Sequence, residues 1–297
     1  MIIIPGPASQ QLGKKIANQL NARMSSIEFT RFPDGESRIR FECSVENDDV
    51  VIVQTTGPPQ NENLIHLFLM ADNAKDLKAK TITAVVPYFA YARQDQRFRP
   101  GEAFSLKTMV TLLQTCGVKR ILTVNSHNPA VLKAMPIRII DLSAIPLLAE
   151  YYKNIDLGNA VSLSLGKKGL ATAIEANNVL KGGYDYIPTQ RDRTTGTVTL
   201  EEKTLPIKGK DVVIFDDIIS SGGTMIKAVA HAKRQDAKTV NVACVHPLMT
   251  EEVKDKILNA GADQILATDS VQSPISVVSI APLIAEALAE KEARKRG

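Results

Sequence analysis

Short, uninterrupted apolar runs alternate along the chain with segments in which apolar residues recur every three or four positions. The runs include residues 50–53 (VVIV) and 212–215 (VVIF). Uninterrupted runs are typical of strands in a parallel sheet covered on both faces, and the longer spacing is typical of amphipathic helices. Predicted helix faces comprise Leu64, Leu67, Phe68 and Ala71, and then Leu106, Met109, Val110 and Leu113. The alternation predicts a doubly wound, parallel-sheet α/β fold.

This pattern occurs twice, in the same order. The matching segments are DVVIV (49–53) with DVVIF (211–215), AKTITAVVP (79–87) with AKTVNVACVHP (237–247), and CGVKRILTVNS (116–126) with AGADQILATDS (260–270). We interpret the repeat as two similar domains, residues 1–145 and 146–297, joined near residues 141–150. Chance similarity between apolar strands is the alternative.

The first half carries an insertion after its second matching segment. The second and third segments begin 37 residues apart in the first half (79 to 116) and 23 apart in the second (237 to 260), a difference of 14. The extra residues are 88–101, YFAYARQDQRFRPG. They follow the carboxyl end of a strand, where α/β proteins place ligand contacts. Arginines suit phosphate and aromatic rings suit a base. The alternative is a solvated loop with its aromatic rings tucked underneath.

In the second half, the strand 211–215 leads into two carboxylates and a loop of small residues, 220–224 (SSGGT). The glycines allow close backbone approach, and the loop precedes a helix expected to begin near Thr224, so it can cradle a phosphate monoester. Asp216 and Asp217 would repel that phosphate unless sugar hydroxyls or Mg²⁺ compensate. A pentose 5-phosphate offers both a phosphate for the loop and hydroxyl groups for the two acids. The alternative is an ordinary serine-capped turn, which needs neither acid. The absence of GxxxxGK[ST] and GxGxxG argues against a P-loop or standard dinucleotide fold.

Composition narrows the class of protein further. The formal charge is +4, from 36 basic and 32 acidic residues, which is too balanced for a general nucleic-acid surface. The three cysteines form no CxxC pair, so a reducing cytosol is expected rather than a disulfide framework. Pro5 and Gly6 interrupt the apolar start, and no apolar run approaches the roughly 18–20 residues of a membrane span. We therefore expect a cytoplasmic protein that binds neither nucleic acid nor membrane.

Residues 212–225 (VVIFDDIISSGGTM) resemble the phosphoribosyl-diphosphate loop shared by type I phosphoribosyltransferases and ribose-phosphate diphosphokinases. Four further motifs and the duplication resemble the second group, also called phosphoribosyl-diphosphate synthetases. The motifs are FPDGE (32–36), NENL (61–64), YARQD (91–95) and SHNP (126–129). The short length and RDRTTG (191–196) resemble archaeal members. The resemblance implies two phosphoribosyltransferase-like domains, with ATP on residues 1–145 and ribose 5-phosphate on residues 146–297.

The resemblance also implies an activity in nucleotide biosynthesis. A diphosphate group passes from ATP to the 1-hydroxyl of ribose 5-phosphate, giving 5-phosphoribosyl 1-diphosphate and AMP, with Mg²⁺ as cofactor. A homo-oligomer is implied, because the FPDGE loop reaches a neighbouring subunit's site in the family. The ATP residues carried over by motif are Phe32, Asp34, Gly35, Glu36, Arg93, Gln94 and Asp95. The ribose 5-phosphate residues are Asp216, Asp217, Ser220, Ser221, Gly222, Gly223 and Thr224. By the same resemblance, His127 would be a metal ligand and Arg191 the catalytic residue.

Three positions depart from the family pattern. Asn125 stands where an acid precedes the metal-binding histidine, Ser164 stands near the acid of a Pro-Asp-x-Gly-Gly-like loop, and Thr189 replaces a catalytic-loop lysine. One interpretation is a weak or silent paralogue that joins an active homologue in a mixed oligomer. Another is a shifted alignment, in which other residues supply the missing groups, namely Lys167, Lys168, Lys181 or Lys203 for the cation and Asp185 or Asp192 for the metal ligand. A phosphoribosyltransferase is a third hypothesis, disfavoured by the duplication. Control by phosphate or ADP stays open.

Overall fold

The computed structural model describes residues 1–191, 198–201 and 203–296, with side chains for residues 1–190, 199–201 and 203–289. The helices are α1 (Gln10–Leu20), α2 (Gln60–Asp76), α3 (Ser105–Thr115), α4 (Pro129–Leu132), α5 (Ile145–Tyr152), α6 (Leu170–Leu180), α7 (Gly223–Arg234), α8 (Glu251–Asn259) and α9 (Ala281–Arg296). The strands are β1 (Ile2–Pro5), β2 (Arg23–Met24), β3 (Ile27–Arg31), β4 (Ser37–Phe41), β5 (Asp49–Val53), β6 (Thr81–Val85), β7 (Val118–Val124), β8 (Arg138–Leu142), β9 (Val161–Leu165), β10 (Tyr184–Ile187), β11 (Thr189–Arg191), β12 (Val198–Leu200), β13 (Asp211–Ile219), β14 (Thr239–Pro247), β15 (Gln264–Thr268) and β16 (Ser276–Val278).

Two six-stranded sheets carry the fold, and both are parallel throughout. The first has the order β2-β1-β5-β6-β7-β8 and the second the order β10-β9-β13-β14-β15-β16. Each strand of the first sheet has a counterpart at the same place in the second. The predicted fold class, two similar doubly wound domains, is therefore confirmed, and the repeat in the sequence is a repeat of topology.

The predicted strands are buried as continuous apolar runs. Ile2, Ile3 and Ile4 in β1 are fully buried, as are Val212, Val213 and Ile214 in β13. The predicted helix faces also point inward, because Leu64, Leu67 and Ala71 of α2 are buried. Helices that cover both faces of a sheet leave no polar alternation in its strands, which is the physical reason that the sequence pattern identifies these segments.

Two antiparallel hairpins are additions to the sheets. β3 pairs with β4, and the turn between them is the FPDGE motif. β11 pairs with β12, with Thr189 opposite Leu200. The first hairpin thus presents a motif that the repeat does not contain.

The chain forms two compact units that are not two contiguous halves. One contains Met1–Ser143, Ser270–Gln272 and Ser279–Gly297, and the other contains Ala144–Asp269 and Ser273–Val278. The first boundary lies close to the predicted one at residue 145. The predicted second domain, 146–297, is corrected at its end, because α9 packs against α1 of the first unit. Ile280, Ile284 and Leu288 are buried there.

No helix among the described residues is both long enough and apolar enough to cross a membrane.

Candidate active site

The carboxyl end of β13 is the centre of the candidate site in the second unit. Hydrogen-bonded pairing with β9 ends at Phe215, opposite Ser164, whereas pairing with β14 continues to Ile219. Asp216 and Asp217 therefore lie just beyond the end of one neighbouring strand, and both are partly exposed. A buried strand thus delivers two carboxylates to the edge of the sheet, where doubly wound folds bind ligands.

The two glycines after β13 have different physical roles. Gly222 has φ +72°, and a Cβ atom there would lie 2.4 Å from Cγ1 of Val253, so the fold itself requires glycine. At Gly223, the first residue of α7, a Cβ atom would meet nothing within 4 Å. The first-turn N–H groups of a helix have no intrahelical acceptor, and no side chain caps α7. The loop 220–224 therefore has the open space and the donors that a phosphate needs.

The carboxylates above this loop are oriented by the backbone. The N–H of Asp217 donates to Oδ1 of Asp216 at 3.0 Å, and the N–H of Ile218 donates to Oδ1 of Asp217 at 2.9 Å. Burial, together with the negative charges of these two acids, raises the pKa of the Cys244 thiol well above its ordinary value. Cys244 is therefore a neutral core residue, and the acids are the chemically competent groups at this strand end.

Ser164 lies inside β9 and is fully buried, so it does not occupy the loop where the resemblance places an acid. The loop that follows β9 is residues 166–169, Gly-Lys-Lys-Gly, and it leads into α6. Gly166 has φ +69°, and a Cβ atom there would lie 2.8 Å from Oγ1 of Thr189. Thr189 thus contacts the lysine-bearing loop. The side chain of Arg191, the expected catalytic residue, lies outside the described residues, as does all of Asp192.

In the first unit, the insertion and the SHNP motif meet directly. Asn128 donates from Nδ2 to Oδ2 of Asp95 at 2.7 Å, and Asp95 is only 5% exposed. Gln94 donates to Glu102 at 3.2 Å, while Arg93 is exposed. Asp95 therefore holds the loop together, and the exposed arginines are left to contact a ligand. Asn128 and Glu102 were not singled out from the sequence, although Asn128 belongs to a quoted motif.

His127, the expected metal ligand, is exposed, and Asn125 before it has φ +40°. The neighbouring loop is fixed by Asp141, which accepts hydrogen bonds from the N–H (3.0 Å) and hydroxyl (2.5 Å) of Ser126. Burial raises the pKa of Asp141, and these hydrogen bonds oppose that effect. Within the described part of the chain, no three His, Cys, Asp or Glu side chains are placed to share a metal ion. The metal role of His127 therefore stays a prediction.

The FPDGE motif forms the tip of the β3–β4 hairpin. The N–H of Phe32 donates to the carbonyl of Glu36 at 2.8 Å, and the N–H of Glu36 donates to Oδ1 of Asp34 at 3.2 Å. Gly35 has φ +97°, which favours glycine in this turn. Phe32 is 49% exposed, a large apolar side chain held outward at a well-formed turn. Its ring is available for stacking on a ligand.

His66 of α2 packs against this hairpin and contacts both of its strands. Its Nε2 is 2.8 Å from the hydroxyl of Ser37, and its ring packs edge-on against Phe29 at 4.9 Å. Nδ1 is buried and has no partner among the described residues. Burial lowers the pKa of His66, while the charge of Glu62 raises it and that of Arg31 lowers it.

A pH effect on stability follows from His66. Because its folded-state pKa lies below the ordinary value of 6.5, the unfolded chain binds the proton first as the pH falls. We expect the free energy of unfolding to fall below about pH 6.5, by about 1.4 kcal/mol for each unit of pKa difference. The His66→Gln variant, compared with the parent by thermal denaturation between about pH 5 and 8, should lose this component. Parallel curves for the two proteins would contradict the assignment.

Comparisons with known proteins find similar sequences and a similar structure along nearly the whole chain. Residues 1–117 match the N-terminal domain of ribose phosphate pyrophosphokinase, and residues 137–274 match the phosphoribosyl transferase domain. The ribose-phosphate pyrophosphokinase of Methanothermobacter thermautotrophicus is 39% identical over 97% of this chain and 99% of its own length. That of Saccharolobus solfataricus is 38% identical over 91% and 93%. The crystal structure of phosphoribosylpyrophosphate synthetase from Mycobacterium smegmatis superposes with a TM-score of 0.85 at 26% identity, covering 100% and 99% of the two chains.

These similarities define a protein built from two phosphoribosyltransferase-type domains. The chain belongs to the ribose-phosphate pyrophosphokinase family.

Proposed function

We propose that this chain is a ribose-phosphate pyrophosphokinase, which transfers a diphosphate group from ATP to the 1-hydroxyl of ribose 5-phosphate. The observation that carries the proposal is the strand end at Asp216 and Asp217, followed by an open, glycine-lined helix start. The relatives that align over nearly the full length carry the name of this enzyme. In the reaction, O1 of the sugar bonds to the β-phosphorus of ATP, and the bond from that phosphorus to the α-phosphate oxygen breaks, releasing AMP.

Ribose 5-phosphate is proposed to occupy the second unit. The backbone N–H groups and hydroxyls of residues 220–224 hold its phosphate, since Gly223 leaves room for the anion. Asp216 and Asp217 accept hydrogen bonds from the sugar hydroxyls. Both acids directly follow the buried run Val212, Val213, Ile214 and Phe215 of β13, so the site is built on a rigid element rather than on a loop.

ATP is proposed to occupy residues of the first unit. Phe32 supplies an exposed ring for the adenine base, with Asp34, Gly35 and Glu36 in the same turn. Arg93, with Gln94 beside it, contacts the phosphates, and Asp95 positions the loop through Asn128. Charge-assisted hydrogen bonds from arginine suit phosphate oxygens.

Mg²⁺ is the proposed cofactor, and the donor set at β13 fits it. Asp216 and Asp217 offer carboxylate oxygens, and Mg²⁺ is usually held by one or two carboxylates together with water and substrate phosphates. When bound, Mg²⁺ supplies charge neutralisation for the transferring group. Arg191 is proposed to act on the same group, and His127 is proposed as a metal ligand in the first unit. A homo-oligomer and a cytoplasmic location are also parts of the proposal.

The alternative of a silent partner subunit receives no support from these comparisons, because the relatives described here are named as enzymes. Asn125 and Thr189 still depart from the family pattern, and both positions bear on the rate of diphosphate transfer. The test is release of AMP from ATP by the purified protein. We expect AMP only when ribose 5-phosphate and Mg²⁺ are both present. Its absence at high enzyme concentration, with a bacterial pyrophosphokinase active in the same assay, would reject the function.

A further inference from the structure

The NENL motif, residues 61–64, lies in the first turns of α2, and its four side chains have two different environments. Asn63 and Leu64 are buried. Nδ2 of Asn63 donates at 2.8 Å to a carbonyl of the loop that follows β5, which fixes the start of the helix to the first sheet. Asn61 is exposed and Glu62 is half-buried. These two side chains contact other motifs rather than the core.

Glu62 contacts the stem of the hairpin that carries the FPDGE turn. Arg31, the residue directly before the turn, donates from Nη2 to Oε1 of Glu62, and its Nη1 lies 3.5 Å from the carbonyl of Gly35 within the turn. The same carboxylate lies 3.9 Å from Nε2 of His66, which contacts Ser37 directly after the turn. One carboxylate of α2 therefore lies against both ends of the turn that presents the aromatic ring proposed for adenine.

Asn61 contacts the insertion of the first unit. The hydroxyl of Tyr91 donates to Oδ1 of Asn61. Tyr91 has φ +65°, a conformation that is rare for a bulky side chain and that surrounding contacts must hold. The N–H of Gln94 donates to the carbonyl of Tyr91 at 3.2 Å, so residues 91–94 form a turn. Arg93 lies in that turn, and the contact from Asn61 fixes the turn at its first residue.

The exposure of these contacts limits what they contribute to stability. The side chains of Arg31 and Glu62 are 48% and 32% exposed, and Tyr91 is 40% exposed. Exposed ion pairs contribute about 0–1 kcal/mol to folding. The two contacts nevertheless join residues 31 and 30 positions apart along the chain. Their main effect is therefore on where the hairpin and the insertion are held relative to α2.

We propose that Asn61 and Glu62 are positioning residues for ATP, each acting through the segment that it contacts. Glu62 places the ring of Phe32 for the adenine base, and Asn61 places Arg93 for the phosphates. The inference rests on the proposed function, because it concerns the ATP of that reaction. A group that is held out of place loses its hydrogen bond or its stacking contact, which corresponds to about tenfold in affinity. The two residues should therefore affect different parts of the same ligand.

The Glu62→Ala variant tests the base side of the proposal by calorimetry with ATP and with AMP, both in Mg²⁺. We expect both affinities to fall by the same factor, about tenfold, because both ligands carry adenine. The matched control is Glu28→Ala, which removes the 2.6 Å ion pair with Arg40 at the far end of the same hairpin and should bind like the parent. The charge exchange Arg31→Glu/Glu62→Arg should restore most of the lost affinity.

The Asn61→Ala and Tyr91→Phe variants test the phosphate side, since each breaks the same hydrogen bond. We expect ATP affinity to fall about tenfold and AMP affinity to stay within about twofold, because AMP lacks the β- and γ-phosphates. The double variant should be no weaker than either single variant. Melting temperatures should change by less than about 2 °C, which separates positioning from unfolding.

The outcomes separate this proposal from the function on which it rests. If the parent releases AMP, and Glu62→Ala and Asn61→Ala bind both nucleotides as the parent does, the positioning proposal is wrong and the function stands. If the parent binds ATP but releases no AMP, the calorimetric comparison still decides the proposal. Equal losses for ATP and AMP in Asn61→Ala would overturn its assignment to the phosphates, and a loss for ATP alone in Glu62→Ala would overturn its assignment to the base. Failure of the parent to bind ATP would overturn both assignments.

Discussion

Substituting valine for Gly223 is expected to weaken ribose 5-phosphate binding by about 100-fold or more without lowering the melting temperature. Apart from its chain neighbours and the backbone of its own helix, no protein atom lies within 4 Å of a Cβ atom at this position, so an added side chain starts in open space and extends into the space proposed for the phosphate. A hydrogen bond to a charged group contributes about 1.5–3 kcal/mol, and the substitution displaces at least two of them. Isothermal titration calorimetry and thermal denaturation measure the two quantities.

Thr250→Val is the matched control at the start of the next helix. The Thr250 hydroxyl accepts a hydrogen bond from the N–H of Val253 and caps α8. Its loss should cost about 1 kcal/mol of stability and leave ribose 5-phosphate affinity unchanged. The two variants are thus expected to show opposite patterns. Normal affinity in the Gly223→Val protein would place the phosphate elsewhere.

The second large effect is expected at Asn128, in the first unit. Changing Asn128 to Asp sets two carboxylates at the 2.7 Å distance now bridged by a hydrogen bond to Asp95. Because Asp95 is buried, the like charges repel at low dielectric and the buried acceptor loses its donor. We expect a loss of about 3 kcal/mol in the free energy of unfolding, together with weaker ATP binding.

A swap of the two residues tests whether the hydrogen bond is the cause. In the Asp95→Asn/Asn128→Asp double variant an amide again faces a carboxylate, so most of the lost stability should return. Urea denaturation of the parent, both single variants and the double variant gives the coupling energy between the positions. Additive effects in this cycle would mean that the contact does not stabilise the loop.

Much of the fold is encoded locally and was therefore predictable. Buried parallel strands require continuous apolar runs, so the repeat of DVVIV and DVVIF identified β5 and β13 and, with them, the duplication. The position of α9 was not predictable in this way. Its sequence shows that a helix forms, but nothing in it specifies which sheet the helix covers, and a linear division of the chain assigned it to the wrong unit.

The same distinction between local sequence and tertiary structure applies to the candidate site. The loop 220–224 was identified from one short segment, because the glycines and the helix start are adjacent in sequence. Asp95 was expected to contact ATP, yet its buried carboxylate bonds to a residue 33 positions away. Such a pairing depends on tertiary structure, which a sequence motif does not report. Ser164 was expected near the acid of the family loop, and the structure places it inside β9, because that strand continues to Leu165.

The return of α9 to the first unit has a consequence for dissecting the molecule. A polypeptide that stops at residue 145 would lack its own last helix, and the complementary piece would carry that helix without α1 to receive it. Neither piece is a self-sufficient module. Co-expression of both fragments should therefore yield a non-covalent complex by complementation, whereas either fragment alone would expose an unpaired apolar surface and aggregate.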